Sequence, residues 1–368
     1  MHLAELDQQQ FAVSCLRHVP PTRRADERDL SFWHETQLTL VIAHELRQAG
    51  RLEQVWPEWP SPSLAGQLRV AAAVAAGERR VLEEVLTAFA TEGISPLLLK
   101  GAALAHTVYP APWLRSRTDT DLLVPAGTLP HVAAVLAKVG FEPVTEVTNA
   151  LISRQRHFLR RSGMPAALDI HESLVNPLVL RDLPQHAELT ARAQSIPSLH
   201  LNAFALSTPD ALLHALVHRV AHHNSTVDLL WLNDMRLLMS RMTTPDWELL
   251  ATAAHGSRVC QIVLDGLHVL REVMDVAAPA SIERDLAAVR GEPSAALLGG
   301  SLTELRLQWV NFRSLPGVRT KTAFIRAHLM PPDAELQKDA TQWPVSVRYA
   351  IRAVRGLRKW SAPISRVR

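Results

Sequence analysis

A chain of 368 residues with 47% hydrophobic and 20% charged residues has the composition of a folded globular protein, and excludes a disordered or low-complexity one. Two cysteines, Cys15 and Cys260, exclude a disulfide framework and a four-cysteine zinc site, and they fit a reducing compartment. The net charge is only +3, but no acidic residue follows Asp339. Arg348, Arg352, Arg355, Arg358, Lys359, Arg366 and Arg368 all do, so the pI of about 9.1 owes much to one segment. The opening MHLAELDQQQ is too polar for a signal peptide. No apolar run reaches the roughly 18 residues of a spanning helix, so a cytoplasmic location is expected.

Residues 1–92 read as a helical region. LSFWHETQLTLVIAHELRQAG has helical spacing with Ser31 as its N-cap, VWPEWPSPS is a proline-rich connection, and LAGQLRVAAAVAAGERRVLEEVLTAFATEG is one long helix closed by Gly93. At residue 93 the pattern changes. ISPLLLK reads as a buried strand, GAALAHTVYP as a short helix stopped by Pro110 and Pro112, and TDTDLLVP as a strand ended by Pro125. TLPHVAAVLAKVG is a helix capped by Gly140. FEPVTEV, RQRHFLRR and AALDIHESL are further strands, the last two joined by a turn at Ser162–Pro165. This alternation predicts an α+β domain over 93–205 with a small mixed sheet. Amphipathic helices resume at Pro209 and fill a region over 206–335. A basic amphipathic tail over 336–368 follows. It reads as a docked terminal helix with a solvated face, or as a contact for a membrane surface, a nucleic acid or another anionic partner.

The chemistry concentrates between Leu97 and Pro125. In a strand, residues two apart share a face, so Asp119 and Asp121 project together while Thr120 and Leu122 face the other way. Two close carboxylates disfavour each other's ionisation unless a cation intervenes. A divalent metal such as Mg²⁺ supplies one; pairing with Arg115 or Arg117 is the alternative. Lys100, Gly101 and Ala102 sit where a strand turns into a helix, a place where backbone N–H groups and the helix dipole suit phosphate. A third carboxylate, Asp169, lies between Leu168 and Ile170 on a strand of the same domain, with His171 on its face. Downstream, His214, His218 and His222 recur every four residues on one helix face. They read as a zinc site or as a polar face turned toward the pocket, with His218 and Asp234 helping to shape it.

Together these motifs resemble the polymerase-β-like nucleotidyltransferase superfamily, in which a small-residue turn, a D-x-D strand and a later strand aspartate follow in order. More narrowly, roughly residues 80 to 335 are similar to the bacterial uncharacterised nucleotidyltransferase family. The shared features are Leu98-Leu99-Lys100-Gly101, Arg115, Asp119-Thr120-Asp121-Leu122-Leu123-Val124, Asp169-Ile170-His171, and the helical His214, His218, His222 and Trp231-Leu232-Asn233-Asp234. Ala102 stands where the superfamily usually has a second Gly or Ser, and Thr120 where the family usually has isoleucine. The resemblance implies that Asp119, Asp121 and Asp169 ligate Mg²⁺, with Mn²⁺ possible, and that Asp169 is a ligand or the base. It implies that Gly101 and Ala102 cradle an NTP triphosphate and that Lys100 and Arg115 neutralise it. The expected reaction is transfer of a nucleoside monophosphate to an acceptor hydroxyl with release of pyrophosphate. A small molecule, peptide or protein is favoured as acceptor over nucleic acid. The alternatives are a non-catalytic nucleotide-binding scaffold and a toxin–antitoxin-like enzyme acting on tRNA.

Overall fold

The computed structural model describes residues 3–20, 22–58, 62–144, 151, 153–299 and 303–329. The expected basic tail and the end of FEPVTEV lie outside the described residues. Four helices open the chain: α1 (Leu3–Leu16), α2 (Glu27–Glu35), α3 (Thr39–Gln48) and α4 (Leu52–Val55). The long α5 (Pro62–Thr91) follows. The stretch read as one helix capped by Ser31 is two helices, and Ser31 lies inside α2. The cap is Asp26, whose side chain accepts from the N–H groups of Arg28 and Asp29, while Asp29 returns a bond to the Asp26 N–H. A reciprocal box satisfies more orphan donors than a lone serine could. Gln37, at φ +60, breaks α2 from α3.

The middle of the chain alternates β1 (Leu97–Leu98), α6 (Lys100–Thr107), β2 (Thr120–Leu123), α7 (Leu129–Lys138), β3 (Glu142–Pro143), β4 (Gln155–Arg160), β5 (Ala166–His171), α8 (His186–Ala191), β6 (Gln194–Ser195) and β7 (Phe204–Ala205). Helices then resume as α9 (Thr208–His223), α10 (Leu229–Met239), α11 (Thr244–Ser257), α12 (Cys260–Met274), α13 (Ala280–Ala288), α14 (Glu304–Ser314) and α15 (Gly317–Leu329). The strands form one mixed sheet in the order β3-β4-β5-β2-β1-β7-β6. Its centre pairs β2 parallel with β5 and antiparallel with β1.

Strand alternation divides the apolar residues between two cores. Leu98, Leu122, Val124, Leu168 and Ile170 point to one face and pack with Val85, Leu86 and Phe89 of α5 and Val132 and Leu136 of α7. Leu97 and Leu123 point to the other face. They join a larger core that unites α1–α4 with α9–α13. The helical ends of the chain therefore close on each other over one side of the sheet, leaving α5 and α7 on the opposite side. Asp121, Asp169 and His171 share the parity of Leu123, so they face the side covered by the helical assembly. Gly266 of α12 lets α9 approach closely, since a Cβ there would collide with the Leu216 side chain. No helix among the described residues is long and apolar enough to cross a membrane.

Candidate active site

The hairpin of β4 and β5 turns at Gly163, whose φ of +74 suits glycine. Positions equidistant from that glycine face each other across the ladder, so Arg160 pairs with Ala166 and His157 with Asp169. The parallel β2–β5 pairing then sets Asp121 beside Asp169. One row across three strands therefore reads Asp121, Asp169, His157. The adjacent row on the same face is Leu123, His171, Gln155.

Ligand atoms of Asp121, Asp169 and His171, all three buried, lie within 4.8 Å of one another. The charges are balanced from both sides. Lys100 Nζ donates to Asp121 Oδ1 at 2.6 Å, and His171 Nε2 lies 2.8 Å from the same oxygen. Gln155 Nε2 donates to Asp169 Oδ2 at 2.7 Å, and the His157 imidazole pairs with Asp169 Oδ1. Burial alone would raise the Asp121 carboxyl, but the His171 hydrogen bond and the Lys100 charge outweigh it and hold the group well below the usual carboxylate range. Asp119 stands one residue before β2 and is half-buried. Burial, then the charges of Asp121 and Asp169, push its carboxyl up. It is electrostatically part of the cluster but outside the set of converging ligand atoms. The hydrogen bond to Asp169 raises His157.

Lys100 begins α6 in the left-handed region, at φ +49. A non-glycine residue there costs about 1–3 kcal/mol, and such strain gathers at functional sites. The leading N–H groups of a helix lack intrahelical partners, so those of Gly101 and Ala102 are available to an anion beside Lys100. Gly101 carries no positive φ, and a Cβ there would meet the Arg115 guanidinium at an ordinary 3.4 Å. The backbone outlier at this turn is therefore the lysine rather than the glycine.

Arg115 lies directly against Gly101, but its donors are spent. Nε and Nη2 bind Asp234 at 2.8–3.0 Å, and Nη1 donates to Ser116 O at 2.5 Å. Asp234 also accepts from the Tyr109 hydroxyl at 2.7 Å, and Asn233 Nδ2 donates to that hydroxyl at 3.1 Å. Burial alone would lower Arg115, but the Asp234 charge and hydrogen bonds more than offset it and raise the group. The structure thus ties Arg115 and Asp234 to each other, as a strut joining the α6 turn to α10. His218 sits elsewhere, in a row of rings on α9. His214, His218 and His222 are at helical neighbour spacing, with ring centroids 5.6 Å and 4.8 Å apart. The first pair meets edge to face and the second is stacked, and the only convergent metal-ligand group among the described residues is Asp121, Asp169 and His171.

Sequence reasoning did not single out Gln155 and His157, the two partners of Asp169. Their signal was present in the turn at Gly163, since hairpin register alone sets His157 opposite Asp169.

A mixed sheet sets two carboxylates side by side on neighbouring parallel strands, next to a lysine at a strand-to-helix turn, and with His171 they form a donor set that could hold a metal ion. The chain belongs to the uncharacterised nucleotidyltransferase family, whose model matches residues 25–275. No curated protein matches the chain. A solved structure similar to it is that of the antibiotic-resistance factor ANT(2'')-Ia, 13% identical, covering 49% of this chain and 92% of that one with a TM-score of 0.36.

Proposed function

We propose that the protein transfers a nucleoside monophosphate from an NTP to an acceptor hydroxyl, releasing pyrophosphate, with a divalent cation as cofactor. The observation that carries this reading is the in-register pair Asp121 and Asp169, whose oxygens converge with the His171 imidazole beside the Lys100 turn. Two carboxylates and an imidazole are an apt donor set for Mg²⁺ or Mn²⁺, the nitrogen favouring Mn²⁺. Asp121, Asp169 and His171 would hold the ion, with Asp119 adding a carboxylate at the edge. When bound, the ion would supply charge neutralisation at the phosphates and polarise their oxygens.

The chain's own groups divide the remaining work. Lys100 leaves Asp121 for the triphosphate, and the Gly101 and Ala102 N–H groups orient its oxygens. An Asp169 carboxylate oxygen takes the acceptor's proton as the acceptor oxygen bonds to the α-phosphorus. The bond from that phosphorus to the bridging oxygen breaks, and pyrophosphate leaves. His157 and Gln155 hold the Asp169 carboxylate in orientation. Arg115 contributes by bracing the turn through Asp234. A small molecule, peptide or protein is the favoured acceptor, because the helical side that covers the sheet is where acceptor shape would be read.

The test is incubation of purified protein with each α-labelled NTP, Mg²⁺ or Mn²⁺, and a cell extract. Label should appear on an acceptor with wild type and not with Asp121→Ala, Asp169→Ala. Metal-independent NTP binding without any transfer would contradict catalysis and leave a binding scaffold.

A further inference from the structure

The row of rings on α9 is unused by this chemistry. His218 stacks on His222 at 4.8 Å, His223 lies 4.9 Å from His218, and Trp231 of α10 lies 4.2 Å from His223. All four residues are half-buried, so each keeps surface open to solvent. The row is wired to the cluster. Asp169 accepts from Gln155, Gln155 accepts from Asn176, and the Asn176 N–H points at His222 Nε2 from 3.4 Å. Accepting that bond requires an unprotonated Nε2.

The geometry points to a nucleobase shelf: the NTP's base lies against the rings of His218, His222, His223 and Trp231 while its phosphates engage the Lys100 turn. This inference rests on the nucleotidyl-transfer reading and adds the residues that hold the base. The order of groups supports it. The hydrogen-bonded chain from Asp169 through Gln155 and Asn176 to His222 joins the shelf to the candidate centre, and the Lys100 charge acts on its three histidines. Burial first, then that charge, lowers His222 to about 3 and His223 to about 4, and moves His218 down as well. Uncharged imidazoles beside an indole, inclined 27° to 55° to one another, offer a stepped aromatic surface with no added positive charge, which suits a planar heterocycle rather than a second phosphate. Stacking of this kind accepts every base and so predicts weak discrimination among NTPs.

The test compares wild type with His218→Ala, His223→Ala and with His218→Phe, His223→Phe, measuring binding of ATP and of inorganic tripolyphosphate by calorimetry in Mn²⁺. The shelf predicts that the alanine pair weakens ATP about tenfold, the scale of one lost base–aromatic stack. Tripolyphosphate should be unaffected, and the phenylalanine pair should restore ATP affinity. Equal weakening of both ligands in the alanine pair would show that the rings only support the fold, and would overturn the shelf. So would ATP binding that is unchanged in the alanine pair, including the case where only acceptor KM rises. If wild type binds no NTP, the transfer reading falls together with the shelf. If wild type transfers label while the alanine pair binds ATP normally, only the shelf falls.

Discussion

Two buried carboxylates of this molecule stand in opposite conditions. Asp234 is saturated by a fixed, buried partner: Arg115 grips it with two nitrogens, Tyr109 adds a third donor, and the side chains of Arg115 and Asp234 are only 8% and 6% exposed. Asp121 is just as buried, yet one of its partners is the flexible, half-buried ammonium of Lys100. Its neighbour Asp169 is paired with a His157 side chain that is 51% exposed. A buried carboxylate whose partners can leave is prepared for a cation. One whose partners are locked is a strut. Residue type alone does not separate the two; satisfaction and exposure do.

The comparison breaks most visibly at Asp234. Asp234→Ala leaves the Arg115 guanidinium buried and uncompensated, and should cost about 3–5 kcal/mol of stability in urea unfolding. A cost under 1 kcal/mol would mean that the pair is no strut. Asp121→Ala should act the other way round. Nucleotidyl transfer should fall by about 10²–10³-fold or more, the scale of losing a main electrostatic contact. The fold should persist in circular dichroism, because the part-exposed Lys100 ammonium can turn to water once its partner is gone. Smaller again is the role of His157. Replacing it with Ala removes the outer partner of Asp169 and should weaken Mn²⁺ binding about 10- to 100-fold in calorimetry. In the same assay His171→Asn should lower Mn²⁺ affinity more than Mg²⁺ affinity, since only the imidazole nitrogen distinguishes the softer ion.

The gentlest probe is pH. His214 and His222 titrate at about 3 and His223 at about 4 in the folded protein, chiefly because of burial and then Lys100, against an ordinary 6.5. Below that ordinary value the unfolded chain binds protons that the folded chain refuses. The stability these rings contribute is therefore complete above about pH 6.5 and is lost as pH falls toward their folded values. The urea midpoint should decline between about pH 7 and pH 5, and less steeply in His223→Phe. A flat midpoint across that range would mean that the row is solvated and protonates freely. The depressed Asp121 does not confuse the reading, since it titrates below this window.

Much of the site was legible in the chain. Period-two alternation placed Asp121 and Asp169 on strand faces, and the turn at Gly163 carried the register that sets His157 against Asp169. Lys100 was visible at a strand-to-helix junction, though as the end of the strand rather than the first residue of α6. What local pattern could not supply was pairing across distance. Nothing near Arg115 announces Asp234, 119 residues away, and motif order alone placed both in the pocket. Nor could the pattern show that α1–α4 and α9–α13 share one core, because either amphipathic set could have buried its apolar stripe elsewhere. The capping of α2 was misread for a simpler reason: Ser31 is a good cap residue, but Asp26 with Asp29 is a reciprocal one.

The central claim is that Asp121, Asp169 and His171 form a metal centre that serves a nucleotide. The most direct test is a Mn²⁺ titration followed by electron paramagnetic resonance, with and without a non-hydrolysable NTP analogue. The account predicts saturable Mn²⁺ binding in wild type that tightens when the analogue is present and disappears in Asp121→Asn, Asp169→Asn. Binding that is absent in wild type, or unchanged in the double variant, would contradict it.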